Sequence, residues 1–355
     1  MIRILDQMVA SAFFKLFGRF ILGAPLLFIL GDITEKLDDY LDRGLSLGEM
    51  ALGYLFMFPQ FILYSFPIAG LVAAVFTVHS MTTHSEIVAA KGGGVSFHRL
   101  IRPLALAGAF LTVVALWLTN ITPITNRRSA EVFKEREVRK EWRQNFVYQT
   151  ENDETLTVQR LLVASSSIEK VLLEVGEPDG TLRHVWADQG YYSDQTGWTF
   201  HQGYLRWVKP GGEEVSYAFD RYQPKHLQVP PEELLEEPRG ENELNYKELG
   251  LQADAVHRSG GDPKKLLVQR EQKIAIPVAT LVIILFGAPL ATTAKRGGAA
   301  FGIGVSLGSV ILYIMLLRVF GAIGISGGLP PLWAAWTPNL LFMAAAAVLL
   351  ARVRT

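Results

Sequence analysis

The sequence predicts an α-helical membrane protein with six transmembrane helices and an all-β extracytoplasmic domain inserted between helices 3 and 4. Three observations predict this. Six apolar runs approach the roughly 20 residues that a spanning helix needs. A long polar stretch, Thr125 to Gln272, separates the third run from the fourth. Lys and Arg gather in the short loops on one side of the spans, whereas the other side holds acidic residues or no charge.

The runs are Phe13–Leu30, Ala51–Val78, Leu104–Ile121, Ile274–Ala294, Phe301–Ile323 and Leu332–Leu350. They divide the chain into residues 1–124, with three spans, an insert over 125–268, and residues 269–355, with three more. The first run reads as a retained helix and not as a cleaved signal. Its small residues, Ala10, Ser11 and Ala12, precede the apolar run, where a cleavage site would follow it.

Orientation follows from the basic residues. Arg3, Lys15 and Arg19 flank the start of the first run; Lys91, Arg99 and Arg102 lie between the second and third. Lys295 and Arg296 lie between the fourth and fifth, and Arg352 and Arg354 end the chain. The opposite side carries Asp32, Glu35, Asp38, Asp39 and Asp42 against Lys36 and Arg43, and the loop Gly324–Pro331 is uncharged. Both termini are therefore expected in the cytoplasm and the insert outside it.

The insert begins with a charged segment, Arg127–Arg143, expected to continue the third helix. From about Phe146 the texture becomes β-branched and aromatic: "TLTVQRLLVA", "EKVLLEV", "LRHVWADQGYY", "GWTFHQGYLRWV" and "EEVSYAFDRYQ". Turn signals separate these stretches at Pro178-Asp179-Gly180, Gln195-Thr196-Gly197 and Pro210-Gly211-Gly212. Regular short strands of this kind argue for a β-sandwich or a partly open barrel. Trp186, Tyr191, Trp198, Tyr204 and Trp207 either fill its core, as aromatic residues commonly do, or line a lipid groove. An acidic linker and a short amphipathic helix follow, ending near Ser259-Gly260-Gly261.

Several function classes are excluded or unsupported. Lys plus Arg equal Asp plus Glu at 34 each, so no global basicity points to nucleic acid. Cysteine is absent, which removes disulfides and thiolate metal sites. There is no GxxxxGK[ST] and no HExxH. No acidic pair sits mid-span, as a proton relay or an intramembrane protease would need. No catalytic, cofactor or metal residue is assigned. Apart from Lys15 and Arg19 at the start of the first run, Arg318 is the one charge inside an apolar run. It either snorkels to the interface or contacts a substrate phosphate.

The stretch "THSEIVAAKGGGVSF" interrupts the apolar sequence between the second and third runs. Thr83 or Ser85 can cap a helix start, Glu86 suits its positive end, and Lys91 suits its negative end. Gly92 is expected to supply the left-handed stop. The helix, near 84–92, is about two turns long, too short to be stable alone. It docks either on its own bundle or on a separate ATPase, as a coupling helix would.

These stretches together resemble the LptF/LptG permease family, the membrane subunits of the lipopolysaccharide exporter of Gram-negative bacteria. "FPQFILYSFPIAGLVAAVF", with Pro59 and Pro67, is similar to the family's second span, and "HSEIVAAKGGGVS" to its coupling helix. "EQKIAIPVATLVIILFGAPLA" resembles the fourth span, with a Lys-x-x-x-Pro element at Lys273 and Pro277. "FGIGVSLGSVILYIMLLRVFGAIG" and "LPPLWAAWTPNLLFMAAAAVLLAR" resemble the last two spans, and "IRILDQMVA" is more similar to LptG than to LptF.

The resemblance implies a permease subunit of an ATP-driven ABC exporter in the bacterial inner membrane, with a periplasmic β-jellyroll-like insert. It implies an LptB-type cytoplasmic ATPase dimer that binds ATP and Mg, an LptF-type second permease, LptC- and LptA-type periplasmic jellyroll proteins, and lipopolysaccharide and membrane lipids as ligands. It also places Ser85, Glu86, Ala90 and Gly92 at the ATPase contact. Asp32, Glu35, Lys36 and Arg318 are the candidate lining of the substrate cavity. The acidic "GDITEKLDDYLD" departs from the lysines that LptG-like members carry there, which would favour a less phosphorylated lipid or bridging divalent cations. The competing classes are a membrane-anchored β-domain that senses or binds without transport, and a transporter that works without an ATPase.

Overall fold

The computed structural model describes residues 4–134, 141–150, 154–177, 179–235, 240–258, 261–293 and 298–353. Arg3, Lys295, Arg296, Arg354, Pro178 and the Ser259-Gly260 helix end lie outside the described residues.

As far as its residues are described, each apolar run lies within one long helix: α1 (Ile4–Asp42), α2 (Leu47–Thr83), α4 (Phe97–Val132), α7 (Lys264–Thr293), α8 (Gly298–Ile325) and α9 (Pro331–Arg352). Among the described residues these six are long and apolar enough to cross a membrane. A short helix, α3 (Glu86–Gly92), joins α2 to α4. The insert between α4 and α7 holds strands β1 to β6, helix α5 (Pro231–Leu235), a 3₁₀ turn at Glu241–Glu243 and helix α6 (Tyr246–Arg258).

Glycine ends two of the long helices. Gly44 and Gly327 adopt φ +68° and +85°. In each case its amide bonds three residues back and the following amide bonds five back, which caps the last carbonyls. At its start, α2 has a reciprocal cap. Glu49 N donates to Ser46 Oγ at 3.2 Å, and Ser46 N donates to Glu49 Oε2 at 2.7 Å. Proline inside the spans costs a backbone hydrogen bond, which side chains recover. Pro123 has no N–H for the Thr119 carbonyl, and Thr122 Oγ1 donates to that oxygen at 3.2 Å.

Helices α2 and α7 form the centre of the bundle. They approach closely where glycines stand between them: a Cβ on Gly70 of α2 would stand 3.0 Å from Ile284 of α7. A Cβ on Gly287 would stand 2.6 Å from Leu71 Cδ1. Tyr313 Oη donates to Asn339 Oδ1 at 2.9 Å, and Asn339 Nδ2 donates to the Ala275 carbonyl at 2.8 Å, joining α8, α9 and α7. A second cluster sits at the end nearer the insert. Phe133 stacks on Tyr40 with ring centres 4.6 Å apart and meets Tyr54 edge-on. Gly53 makes room for that ring, since a Cβ there would lie 2.5 Å from it.

The charged segment after the third span does not stay helical to Arg143. Helix α4 stops at Val132, Lys134 turns left-handed with φ +51°, and β1 (Trp142–Gln149) already contains Arg143. Residues 135–140 of that segment lie outside the described set. The other strands fall where the texture changes: β2 (Thr155–Leu162), β3 (Ser167–Gly176), β4 (Leu182–Ser193), β5 (Gly197–Val208) and β6 (Glu214–Tyr222). They form one antiparallel sheet in the order β1-β2-β3-β4-β5-β6.

One row crosses all six strands without pairing: Asn145, Gln159, Lys170, Asp188, Gln202 and Asp220. All six are exposed, and Asn145, Lys170 and Gln202 have φ of +49°, +47° and +54°. The inward side chains change parity there. In β4 they are Val185 and Ala187 before the row and Gly190 after it; in β5 they are Phe200 before it and Leu205 after it. A step of this kind keeps apolar residues inward on both halves. A single core draws on both, with Val171, Val185 and Leu205 from one half and Leu161, Ile168 and Trp198 from the other.

The five aromatic residues divide between two faces. Trp198 is fully buried and Trp207 packs on the core. Tyr191 and Tyr204 are exposed, and Trp186 stacks on Tyr204 at 5.5 Å. Core filling therefore fails for Trp186, Tyr191 and Tyr204. The register pairs Trp186 with Tyr204 and Val185 with Leu205, and only the second pair faces inward.

Glu154 is buried at the start of β2. Burial raises its carboxyl above the usual range, and Arg183 and His226 offset part of that shift. A raised folded-state value means that the folded chain holds the proton more tightly than the unfolded chain. The associated stability is fully present at acid pH and is lost as pH rises through the raised value. Glu154→Gln is expected to raise the stability of the insert at neutral pH and to flatten its decline between acidic and neutral pH, read by thermal unfolding across that range.

Candidate functional site

Helix α3 is docked and exposed at once. Ile87 is 7% exposed and belongs to the bundle core, with Ala90 packed against the same cluster. Lys91 Nζ lies 6.0 Å from the centre of the Phe97 ring. The opposite face is open: Ser85, Glu86 and Ala89 are exposed, and Val88 is 57% exposed. The bundle thus supplies the support that a seven-residue helix lacks on its own. It leaves a carboxylate beside an apolar side chain facing away from the bundle.

Two expectations about this helix are corrected. Ser85 occupies the position before the first turn, but its side chain makes no capping bond. Its φ of +58° places it in the left-handed region, where it turns the chain sharply out of α2. Gly92 is not the left-handed stop; it is the last helical residue, and Gly94 takes φ +78°. Val95 N bonds Ala90 O and Gly94 N bonds Lys91 O, each at 2.9 Å, so the left-handed residue that caps the helix carbonyls stands two residues later. Among the four predicted contact residues, Glu86 and Gly92 lie on the open side with Ser85, and Ala90 turns toward the bundle. Nothing in the sequence marks Val88, because an apolar residue in a short helix carries no sign of exposure.

The acidic end of α1 is helical to Asp42, so Asp32, Glu35 and Asp39 recur on one helix. Their environments differ. Asp32 is bound on two sides, by Lys36 Nζ at 3.0 Å and by the Tyr54 hydroxyl at 2.8 Å, with the Tyr40 hydroxyl at 3.3 Å. Glu35, Asp38 and Asp39 are exposed. Arg318 is exposed on α8 and lies within electrostatic reach of Tyr64 on α2, whose ring neighbours Phe28 on α1. The structure thus pairs Asp32 with Lys36 and leaves Glu35 and Arg318 outward. The role of Tyr54 was not visible in sequence, since it depends on α2 packing beside α1.

Helices α1 and α8 are the least buried spans, with 17% and 22% of their apolar windows buried. Leu22, Leu26 and Leu30 form an exposed stripe on α1, and Leu307, Ile311 and Met315 form one on α8. Among the described residues no group of His, Cys, Asp and Glu is arranged to hold a metal ion.

A family model described as lipopolysaccharide export system permease LptF/LptG matches residues 7–352, nearly the whole chain. The chain belongs to the LptF/LptG family. No curated protein matches it. The family assignment agrees with six apolar helices and a strand-rich insert between the third and fourth spans. It makes the chain a multi-pass permease of the lipopolysaccharide export system, a transport subunit and not an enzyme.

Proposed function

We propose that this LptF/LptG family member is the permease subunit of an ATP-driven exporter. It extracts lipopolysaccharide, or a related envelope lipid, from the outer leaflet of the inner membrane and passes it to a periplasmic bridge. The observation that carries the ATP-driven part is the geometry of α3. Ile87 anchors the helix while Glu86 and Val88 face away from the bundle. An LptB-type ATPase dimer, binding ATP and Mg, seats this face. The exposed stripes of α1 and α8 support an LptF-type partner alongside. LptC- and LptA-type jellyroll proteins receive the lipid from the insert.

The substrate path runs past the Asp32–Lys36 pair, Glu35 and Arg318. Asp32 is already matched by Lys36. The acidic residues available to a divalent cation bridging a lipid phosphate are therefore Glu35, Asp38 and Asp39. The test of the whole reading is purification from native membranes with identification of bound proteins and lipids. Recovery of an ATP-binding subunit, a second permease and lipopolysaccharide supports it. Recovery of the chain alone, or with a soluble partner and no ATPase, favours a membrane-anchored binding protein instead.

Orientation is testable in this cysteine-free background. Cysteines introduced at Gly180 and Gly328 are expected to react with an impermeant maleimide from the periplasmic side. One at Gly93 is expected to react only after the cytoplasmic face is opened. Labelling of Gly93→Cys from the periplasm contradicts six spans with cytoplasmic termini.

A further inference from the structure

The segment by which the chain leaves the insert, Glu241–Ala253, belongs to the same compact unit as the membrane helices. It is held there by polar contacts to two of them. From α4, Asn126 Nδ2 donates to the Asn242 carbonyl at 2.9 Å and to Gln60 Oε1 of α2 at 3.1 Å. The next residue, Arg127, donates from Nε to the Glu243 carbonyl at 2.9 Å and pairs through Nη2 with Glu248 Oε1 at 2.6 Å. From α7, Lys265 pairs with Glu241 at 2.5 Å, and Gln269 donates to the same carboxylate. Tyr246 Oη donates to Glu271 Oε1 at 3.3 Å, and Arg270 lies over the Tyr246 ring while pairing with Glu271 at 2.9 Å. The Lys273 ammonium, one turn deeper, is within electrostatic reach of Glu241 and Glu248.

Glu248 does two jobs. Its Oε2 accepts from Asn245 N at 2.8 Å, and Asn245 Oδ1 accepts from Glu248 N at 2.9 Å, a reciprocal cap that starts α6. Its other oxygen holds Arg127. One carboxylate therefore ties the start of the exit helix to the end of the entry helix. Leu244, Leu249, Ala253 and Val268 are buried beneath these contacts. A partly buried charge network is a poor way to gain stability, because desolvation offsets much of the attraction. What a satisfied network gives is one fixed geometry.

We infer that this clasp is the mechanical joint that carries movement of α4 and α7 to the two chain segments entering and leaving the insert. The inference rests on the transport reading above for its consequence, and on geometry alone for its existence. It assigns Arg127 and Glu248 a positioning role. Neither touches the lipid; together they keep entry helix, exit segment and α7 moving as one body. The neighbouring Arg128 points elsewhere and pairs with Glu131 on its own helix, so it serves as the matched control.

The experiment uses the full chain with Leu249→Cys as a reporter, since Leu249 is 0% exposed and the parent has no cysteine. Arg127→Leu and Glu248→Leu are expected to raise maleimide labelling of the reporter several-fold, and Arg128→Leu to leave it unchanged. In the reconstituted exporter, the first two are expected to lower lipid transfer several-fold while ATP hydrolysis stays at the parent level. Arg127→Lys, which keeps the charge and loses the two-point contact, is expected to fall between. It also supplies the comparison if Arg127→Leu does not accumulate in the membrane. Labelling of the Arg127 variants equal to that of Arg128→Leu overturns the clasp. Raised labelling with undiminished transfer overturns its role as a joint. If the parent itself moves no lipid, the functional reading fails, and the labelling comparison still decides whether Arg127 holds the exit segment.

Discussion

Glu86→Ala is expected to abolish ATP-coupled lipid release while leaving the membrane bundle intact. Glu86 is exposed and makes no part of the core, whereas its neighbour Ile87 is the anchor. Removal of the carboxylate therefore costs the fold little. At an interface, loss of one partner of a buried charge pair costs about 2 kcal/mol or more. That corresponds to about a thirtyfold loss of affinity for the proposed ATPase. The measurements are the yield of ATPase that co-purifies and the lipid released per ATP hydrolysed. Normal values for both would show that the open face of α3 meets no partner. Ile87→Ala is expected to behave differently, loosening α3 itself and lowering the yield of the membrane protein.

Gly203→Ala is expected to unfold the insert. A Cβ at this position would overlap the Trp186 carbonyl oxygen and lie 2.6 Å from Phe219 Cζ. The first obstacle is backbone of the paired strand, which cannot rotate away. Overpacking against yielding side chains costs about 1–3 kcal/mol, and here the strand itself must move, so about 3 kcal/mol is the expected minimum. Gly176→Ala, at the end of β3, meets nothing within 4 Å and is expected to change stability by less than about 0.5 kcal/mol. Pulse proteolysis of the insert in the full chain compares the two. Equal resistance would mean that the sheet is looser at Gly203 than its register indicates.

Sequence signals that act locally are the ones that fix structure without knowledge of the packing. The six spans were legible because twenty-residue apolar runs have one outcome in a bilayer. Strands β2 to β6 were legible because branched and aromatic residues alternate between turn signals. Strand β1 was missed in part: "EWRQNF" looks like charged helix, and only pairing of Trp142–Gln149 with β2 makes it a strand. The row from Asn145 to Asp220 was not legible at all. Its members are ordinary polar residues in separate strands, and their alignment exists only once the register is set.

The candidate site followed the same rule. The position of α3 was readable from Glu86, Lys91 and the glycine run, but not which of Gly92, Gly93 and Gly94 would turn left-handed. That choice depends on which carbonyls Gly94 and Val95 cap. Asp32 and Lys36 were readable as neighbours on a helix. The hydroxyls of Tyr40 and Tyr54, which hold Asp32, come from packing that no spacing reveals. The clasp was least legible, since Arg127 and Glu248 are 121 residues apart and each resembles an ordinary surface charge.

Under the proposed function, lipid enters the insert when ATP is consumed. The most direct measurement places a photo-crosslinking amino acid at Trp207, half-buried on the inner face of β5. The chain is reconstituted in proteoliposomes with the proposed ATPase, the proposed partner permease and lipopolysaccharide. The expected result is a crosslink to lipopolysaccharide that appears with ATP, is absent without it, and disappears in Glu86→Ala. A crosslink of equal strength without ATP, or none under any condition, would contradict it.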